Sequence, residues 1–241
     1  MIGMTRTTRR KHGLLLGGAG LPIFGLLFAW LVFLSPISAE AGDNDWEWWL
    51  WSNTDLIRED DFRLHLYLDQ RLAEERGSYV QIASPRAKWR LHPNFDLGLG
   101  ASVLSIEKGN TGSYYAQARP ELELNPFFSL GENGSVHFRN RIEARWTEFS
   151  GDPLMRTRHR IKLTWKNLDL GPISGFYVNN EWFIDWERGE WSEDRLIPAA
   201  FTIDLGDTGA HLDLFYMLRF ADRGSGWERD HVFGTFLRWS L

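Results

Sequence analysis

The sequence has no cysteine, and its 241 residues include only nine prolines and four methionines. Without a thiol there is no disulfide framework, no CxxC redox pair, no thiolate zinc site and no cysteine nucleophile. A dominant charge is lacking too: 27 Lys and Arg stand against 32 Asp and Glu, a net charge of −5, which argues against an electrostatic nucleic-acid binder. HExxH, GxGxxG and Walker patterns are missing, so neither a metal nor a cofactor is expected. Beyond Leu34 no apolar run approaches the roughly 18 residues of a spanning helix. What is present is an aromatic load of 13 Trp, 16 Phe and 6 Tyr in a chain whose mean hydropathy is only −0.34. With 43% apolar residues the chain is neither disordered nor collagen-like, so it buries or embeds apolar surface.

The first 41 residues read as an address. Arg6, Arg9, Arg10 and Lys11 form a positive region, Leu14 to Leu34 an uncharged apolar stretch, and Ala39-Glu40-Ala41 a small-x-small cleavage site. A signal peptide over 1–41 is expected, with an uncleaved anchor as the rival because the apolar stretch is long enough to cross a bilayer. Cleavage removes four of the basic residues and one of the acidic ones, leaving a more acidic mature chain.

From Phe62 onward the chain alternates with a period of two, the signature of half-buried strands. Phe62, Leu64, Leu66 and Leu68 interleave with Arg63, His65, Tyr67, Asp69 and Arg71. The pattern recurs at 95–103, 136–147, 155–166, 175–186, 210–220 and 231–241, and more weakly at 84–91, 113–124 and 194–205, where Pro85, Pro120 and Pro198 intervene. That makes ten strands. Tight turns at His92-Pro93-Asn94, Gly171-Pro172 and Gly206 to Gly209 alternate with longer or more charged links at 72–83, 105–112, 187–193 and 221–230. Short turns on one side and longer loops on the other suit an outer-membrane barrel. The tryptophans fit the same picture. Trp89, Trp165 and Trp239 fall at strand ends on the short-turn side and Trp146, Trp182 and Trp186 at the opposite ends, as two aromatic girdles at the membrane interfaces. The last strand runs to Leu241, similar to the C-terminal insertion signal of such barrels except that its final residue is not aromatic.

The Trp-rich start (Trp46, Trp48, Trp49, Trp51), the strand ending Asp69-Gln70-Arg71, and Arg139-Asn140-Arg141-Ile142-Glu143-Ala144-Arg145 followed by Arg156-Thr157-Arg158-His159-Arg160 carry a resemblance. Over most of the mature chain the sequence resembles a bacterial family of predicted outer-membrane β-barrels known only as a domain of unknown function. The resemblance implies the fold and brings no activity or catalytic residue.

If the polar positions face inward, Arg63, Arg71, Arg139, Arg141, Arg145, Arg156, Arg158, Arg160 and Lys162 line the lumen. Glu121, Glu123, Glu143, Glu181 and Asp185 are there to neutralise them, with Glu143 set opposite Arg160 by a hairpin centred near Gly151. Two uses follow: a salt-bridge network filling a narrow barrel, or a ladder of Arg favouring anions in a channel. Catalysis is not expected. None of the six histidines after residue 41 has Ser or Thr two residues later; the reversed order occurs at Ser135-Val136-His137, inward and near Glu123, and at Thr157-Arg158-His159, outward, while His211 and Asp213 share an inward face.

The expectation is therefore an all-β, all-antiparallel transmembrane barrel of ten strands, or twelve, over 62–241, preceded by a Trp-rich periplasmic leader or extra strand at 42–61. It would sit in the outer membrane of a Gram-negative bacterium, with outer-membrane lipid, the barrel-assembly machinery and a small anionic solute as partners. The alternatives are a soluble periplasmic lipocalin-like barrel binding a hydrophobic ligand, apolar inside and charged outside, and, less favoured, an outer-membrane lipid-modifying enzyme.

Overall fold

The computed structural model describes residues 46–241 except 75, 110 and 223–225. The described residues form eleven strands: β1 (Trp46–Arg58), β2 (Phe62–Ala73), β3 (Gly77–His92), β4 (Phe95–Glu107), β5 (Tyr114–Leu130), β6 (Gly134–Thr147), β7 (Leu154–Leu170), β8 (Ile173–Asp185), β9 (Glu190–Asp204), β10 (His211–Asp222) and β11 (Trp227–Ser240). They make an up-and-down meander closed into a barrel. Consecutive strands reverse direction, so an odd count leaves the first and last running the same way. β1 and β11 accordingly close the barrel in parallel, from Trp46 opposite His231 to Asp55 opposite Ser240. β1 starts at one rim, here the N-terminal rim, and β11 finishes at the other, the C-terminal rim.

Two expectations are corrected by this topology. The barrel has eleven strands instead of ten or twelve, and one of its pairs is parallel. The additional strand is the Trp-rich segment, which pairs with both β2 and β11. Its alternation is masked because Trp49 and Trp51 face inward on a strand whose outward face also carries Trp46 and Trp48. The long link expected at 72–83 is also absent: β2 runs to Ala73 and β3 starts at Gly77. There Tyr79, Val80, Ile82 and Leu104 form a small buried apolar cluster, so the expected polar positions are apolar and the period of two is lost. The difference in loop length between the rims shrinks with it, since six-residue links occur at both (108–113 and 148–153 at one, 205–210 at the other).

The alternation itself turns polar side chains inward and apolar ones outward. On β5, Gln117, Glu121, Glu123 and Asn125 are buried while Ala118, Leu122 and Leu124 between them are exposed. On β6, Arg141 and Glu143 are at most 1% exposed, whereas Ile142 between them is 40% exposed. Gly98 and Gly100 on the inward face of β4 make room for this filling. A Cβ at Gly98 would lie 3.1 Å from Cβ of Glu123, and one at Gly100 would lie 3.0 Å from Cγ of Arg86. A third close approach is Gly234, paired across the sheet with Phe215, whose ring lies directly over it.

A Cβ at Gly234 would fall 2.1 Å from Cζ of Phe215. Gly234→Val is therefore expected to lower unfolding free energy by about 1–3 kcal/mol through overpacking, measured by denaturant titration of the folded barrel. Adding Phe215→Ala should recover part of that loss, a coupling visible in a double-mutant cycle.

Candidate functional site

The candidate site is the lumen, where two charged arrangements stand beside a buried apolar cluster that includes Tyr177, Ile197, Phe215, Met217 and Val232. The first is a band of ion pairs. The Arg141 guanidinium donates from Nε to Oε1 of Glu123 at 2.9 Å, and its Nη1 lies 3.0 Å from Oε2 of Glu121. Each of these carboxylates has a second cation, Arg86 at 3.2 Å on Glu121 and Lys88 at 3.4 Å on Glu123. Glu121 also accepts from the Ser102 hydroxyl at 2.6 Å. Glu143 accepts from Arg156 Nε at 2.5 Å and from Arg158 Nη1 at 3.4 Å. Arg158 reaches on to Glu181 at 3.2 Å, which also takes Arg139 at 2.6 Å. Arg145 pairs with Asp185 at 2.9 Å. Sharing each carboxylate between cations is what allows so many guanidiniums to leave water, since an unpaired buried charge is prohibitive.

The second arrangement is a stack across the lumen. The Arg71 guanidinium lies 3.8 Å from the Trp49 ring centroid, and Arg195 lies 4.8 Å from Trp49 and 4.6 Å from the Phe183 ring. Arg156 and Arg158 approach Phe183 at 4.8 and 4.6 Å. Trp49 and Phe183 have no solvent exposure at all, packed as they are among these guanidiniums. The stack is tied to the wall through charge. Arg71 donates to Asp69 at 2.8 Å, Arg195 and Arg219 share Glu193 at 2.8 and 2.7 Å, and Glu47 accepts from Trp49 Nε1 at 2.7 Å and from the Tyr79 hydroxyl at 2.6 Å. Glu47, Trp49, Glu193, Arg195 and Arg219 had no place in the expected lining. Glu193 and Arg195 carry the same polar-at-every-second-position signal as β6 and could have been found from it; Trp49 could not.

All fourteen residues expected to line the lumen lie on inward strand positions. Arg139, Arg141, Glu143, Arg145, Arg156, Arg158, Glu121, Glu123, Glu181 and Asp185 are brought together in the band, whereas Arg63 lies near the C-terminal rim, 3.6 Å from Asp55. Arg71 belongs to the stack; Arg160 lies level with Arg139 and Glu181 of the band but, like Lys162, makes no ion pair within it among the described residues. The hairpin register is corrected: Glu143 pairs with Arg156, and Arg160 faces Arg139, because the turn is centred nearer Phe149 than Gly151. Of the six tryptophans, Trp89 packs on Phe62 and Trp165 stacks on Phe176 toward the C-terminal rim. Trp146, Trp182 and Trp186 lie toward the N-terminal rim. Trp239 is only 9% exposed.

Among the described residues the histidines complete no Ser-His-acid triad. Ser135 Oγ lies 3.1 Å from His137 Nε2, but Glu123 is occupied by Arg141, Lys88 and Asn125. His159 bonds Asn140 at 2.9 Å, His211 bonds Asp204 at 2.5 Å, and Asp213 is held by Arg238 and Thr202. Among the described residues no cluster of three or more His, Asp or Glu is arranged to hold a metal ion.

Residues 46–230 match a family model described as "Protein of unknown function (DUF2490)". No curated protein and no solved structure matches the chain.

Glu143 is fully buried and serves Arg156 and Arg158 at once. Glu143→Gln is expected to destabilise the barrel by about 3–5 kcal/mol, because it strands a buried cation. Arg188→Ala, which breaks a pair with Asp222 at the exposed rim, should cost less than about 1 kcal/mol. Denaturant midpoints of the two variants, compared at equal slope, check the contrast.

Proposed function

The chain belongs to the DUF2490 family of proteins of unknown function, and from its geometry we propose that it is an integral outer-membrane β-barrel, held shut by its own charged lumen. One observation carries this reading: the polarity of a water-soluble protein is inverted. Val103 is 61% exposed, Phe201 47% and Leu122 40%, while Arg141, Glu143 and Asp213 are at most 1% exposed. In water this arrangement loses on both faces, leaving a broad apolar belt unburied and charges desolvated. In a bilayer the belt meets hydrocarbon, and the closed barrel leaves no sheet edge open. The strands, 12 to 17 residues long, exceed the roughly 9–11 that a tilted crossing requires. Aromatic pairs such as Trp165 with Phe176 and Trp48 with Phe233 lie toward opposite rims of the outward face, where interfacial girdles belong.

A lipocalin-like barrel needs an apolar interior, and here the apolar cluster around Phe215 and Met217 shares the lumen with the band of buried ion pairs, which disfavours that reading. An open anion channel needs a continuous aqueous path, and the stack of Arg71, Trp49, Arg195 and Phe183 lies across it. The role that fits is a closed barrel reached by way of the signal peptide and the barrel-assembly machinery, with outer-membrane lipid as its surroundings.

Leu122 sits at the middle of β5 on the outward face. Leu122→Arg is expected to reduce the free energy of folding into phospholipid vesicles by about 2–4 kcal/mol, read from denaturant titration alongside heat-shifted gel migration. A neutral substitution, with full folding in detergent-free buffer, would sink the membrane reading. In planar bilayers the wild-type chain should be electrically silent, and Trp49→Ala/Phe183→Ala should open a measurable current.

A further inference from the structure

Between the ion-pair band and the C-terminal rim the lumen widens into a cup of about 730 Å³. Five of the eight Lys and Arg lining it have a carboxylate partner: Arg58 and Arg63 on Asp55, Lys88 on Glu123, Arg90 on Asp96 and Arg238 on Asp213. The other three are Arg160, Lys162 and Lys166, all on the inward face of β7 with Thr164 between the lysines. None of them has a carboxylate within ion-pair distance among the described residues. The Arg160 Nε is buried without a hydrogen-bond partner, as is the Oδ1 of Asn179, which pairs across the sheet with Lys162. The Lys162 ammonium rests instead 3.5 Å from the centroid of the Tyr177 ring, and His137 flanks it on β6.

The opposite wall is mixed in charge, with Arg58 and Arg63 beside its carboxylates. Glu59, Asp60 and Asp61 on the β1–β2 turn line the cup, and β2 lies five strands from β7 in one direction and six in the other. The β7 wall differs in presenting three cations and no carboxylate of its own to the cup, so an anion there is drawn to β7. Inward side chains on a strand recur about every 6.6 Å, so Lys162 and Lys166 flank Thr164 at a spacing long flexible side chains can close. A tetrahedral oxyanion lodged there accepts from both ammoniums and from the hydroxyl, with Arg160 beneath it.

We propose that the β7 wall of the cup binds a phosphate group, a dianionic phosphate or phosphate monoester, through Lys162, Thr164 and Lys166 backed by Arg160. Free phosphate and a lipid phosphate headgroup present the same chemistry. The site rests on the lumen alone and holds whether lipid or water surrounds the barrel, so its failure and that of the membrane reading are separate results.

The test is calorimetric titration of the whole chain, folded in a non-ionic detergent and phosphate-free buffer, with inorganic phosphate in one arm and phosphatidic acid in mixed micelles in the other. Saturable binding is expected, weakening with added salt. Lys162→Gln/Lys166→Gln should weaken it by about tenfold or more, the worth of one or two charge-assisted hydrogen bonds. Heat-shifted migration reports whether that variant folds. Lys166→Gln alone, at an exposed position, gives a smaller loss of affinity and decides the matter if the double variant does not fold. A response to inorganic phosphate assigns the site to a soluble oxyanion, and one confined to phosphatidic acid assigns it to a lipid headgroup. No binding in either arm overturns the proposal. So does equal binding by wild type and the lysine variants, or an equal loss in Arg188→Gln at the far rim.

Discussion

The structure depends on carboxylates that each neutralise more than one buried cation. Glu143 holds Arg156 and Arg158, Glu181 holds Arg158 and Arg139, and Glu193 holds Arg195 and Arg219. Ion pairs of this sort add little net stability compared with an apolar core, because desolvation takes back most of the attraction. What they supply is register. A one-residue slip of any strand would turn its whole set of charges to the apolar face, and each shared carboxylate fixes two or three neighbouring strands at once. Gly98 and Gly100 belong to the same constraint, since the side chains of Glu123 and Arg86 occupy the room that a Cβ would take.

The aromatic load divides into two kinds of work. Trp89, Trp165 and Trp48 pack against other rings on the outside, whereas Trp49 and Phe183 lie inside, faced by guanidiniums. A flat ring suits both places. It offers large apolar area to an interface and a negative face to a cation that has given up water. An aliphatic side chain at position 49 would fill the space and leave Arg71 and Arg195 without that contact.

Much of the fold was legible in the sequence wherever the lumen is polar. On β5, β6 and β7 most inward positions, such as Gln117 to Asn125, Arg139 to Arg145 and Arg156 to Lys162, are charged or amide-bearing, so strand identity and facing followed from period alone. Legibility failed where the lumen is apolar. At Trp49 and Trp51, and around Tyr79, Val80 and Ile82, inward and outward residues are both hydrophobic, and the alternation that reveals a strand cancels. That is why β1 and the first half of β3 did not stand out, and why the strand count came out one short. The candidate site was legible as a set of residues but not as a set of partners. Which Arg meets which Glu depends on where a turn is centred, and shifting that centre by two residues exchanges Arg160 for Arg156 opposite Glu143. The same exchange leaves Arg160 at the edge of the band, between Arg139 and Glu181 but without an ion pair of its own, and lining the cup.

The odd strand count has a consequence for how such a protein is handled. β1 begins at one rim and β11 ends at the other, so in a bilayer the two ends of the barrel lie in different compartments. An epitope placed after β11 and a protease site placed ahead of β1 would then answer to reagents added on opposite sides, and a fusion tolerated at one end carries no promise for the other. An even-stranded barrel returns both ends to the same side and offers no such pair of reporters.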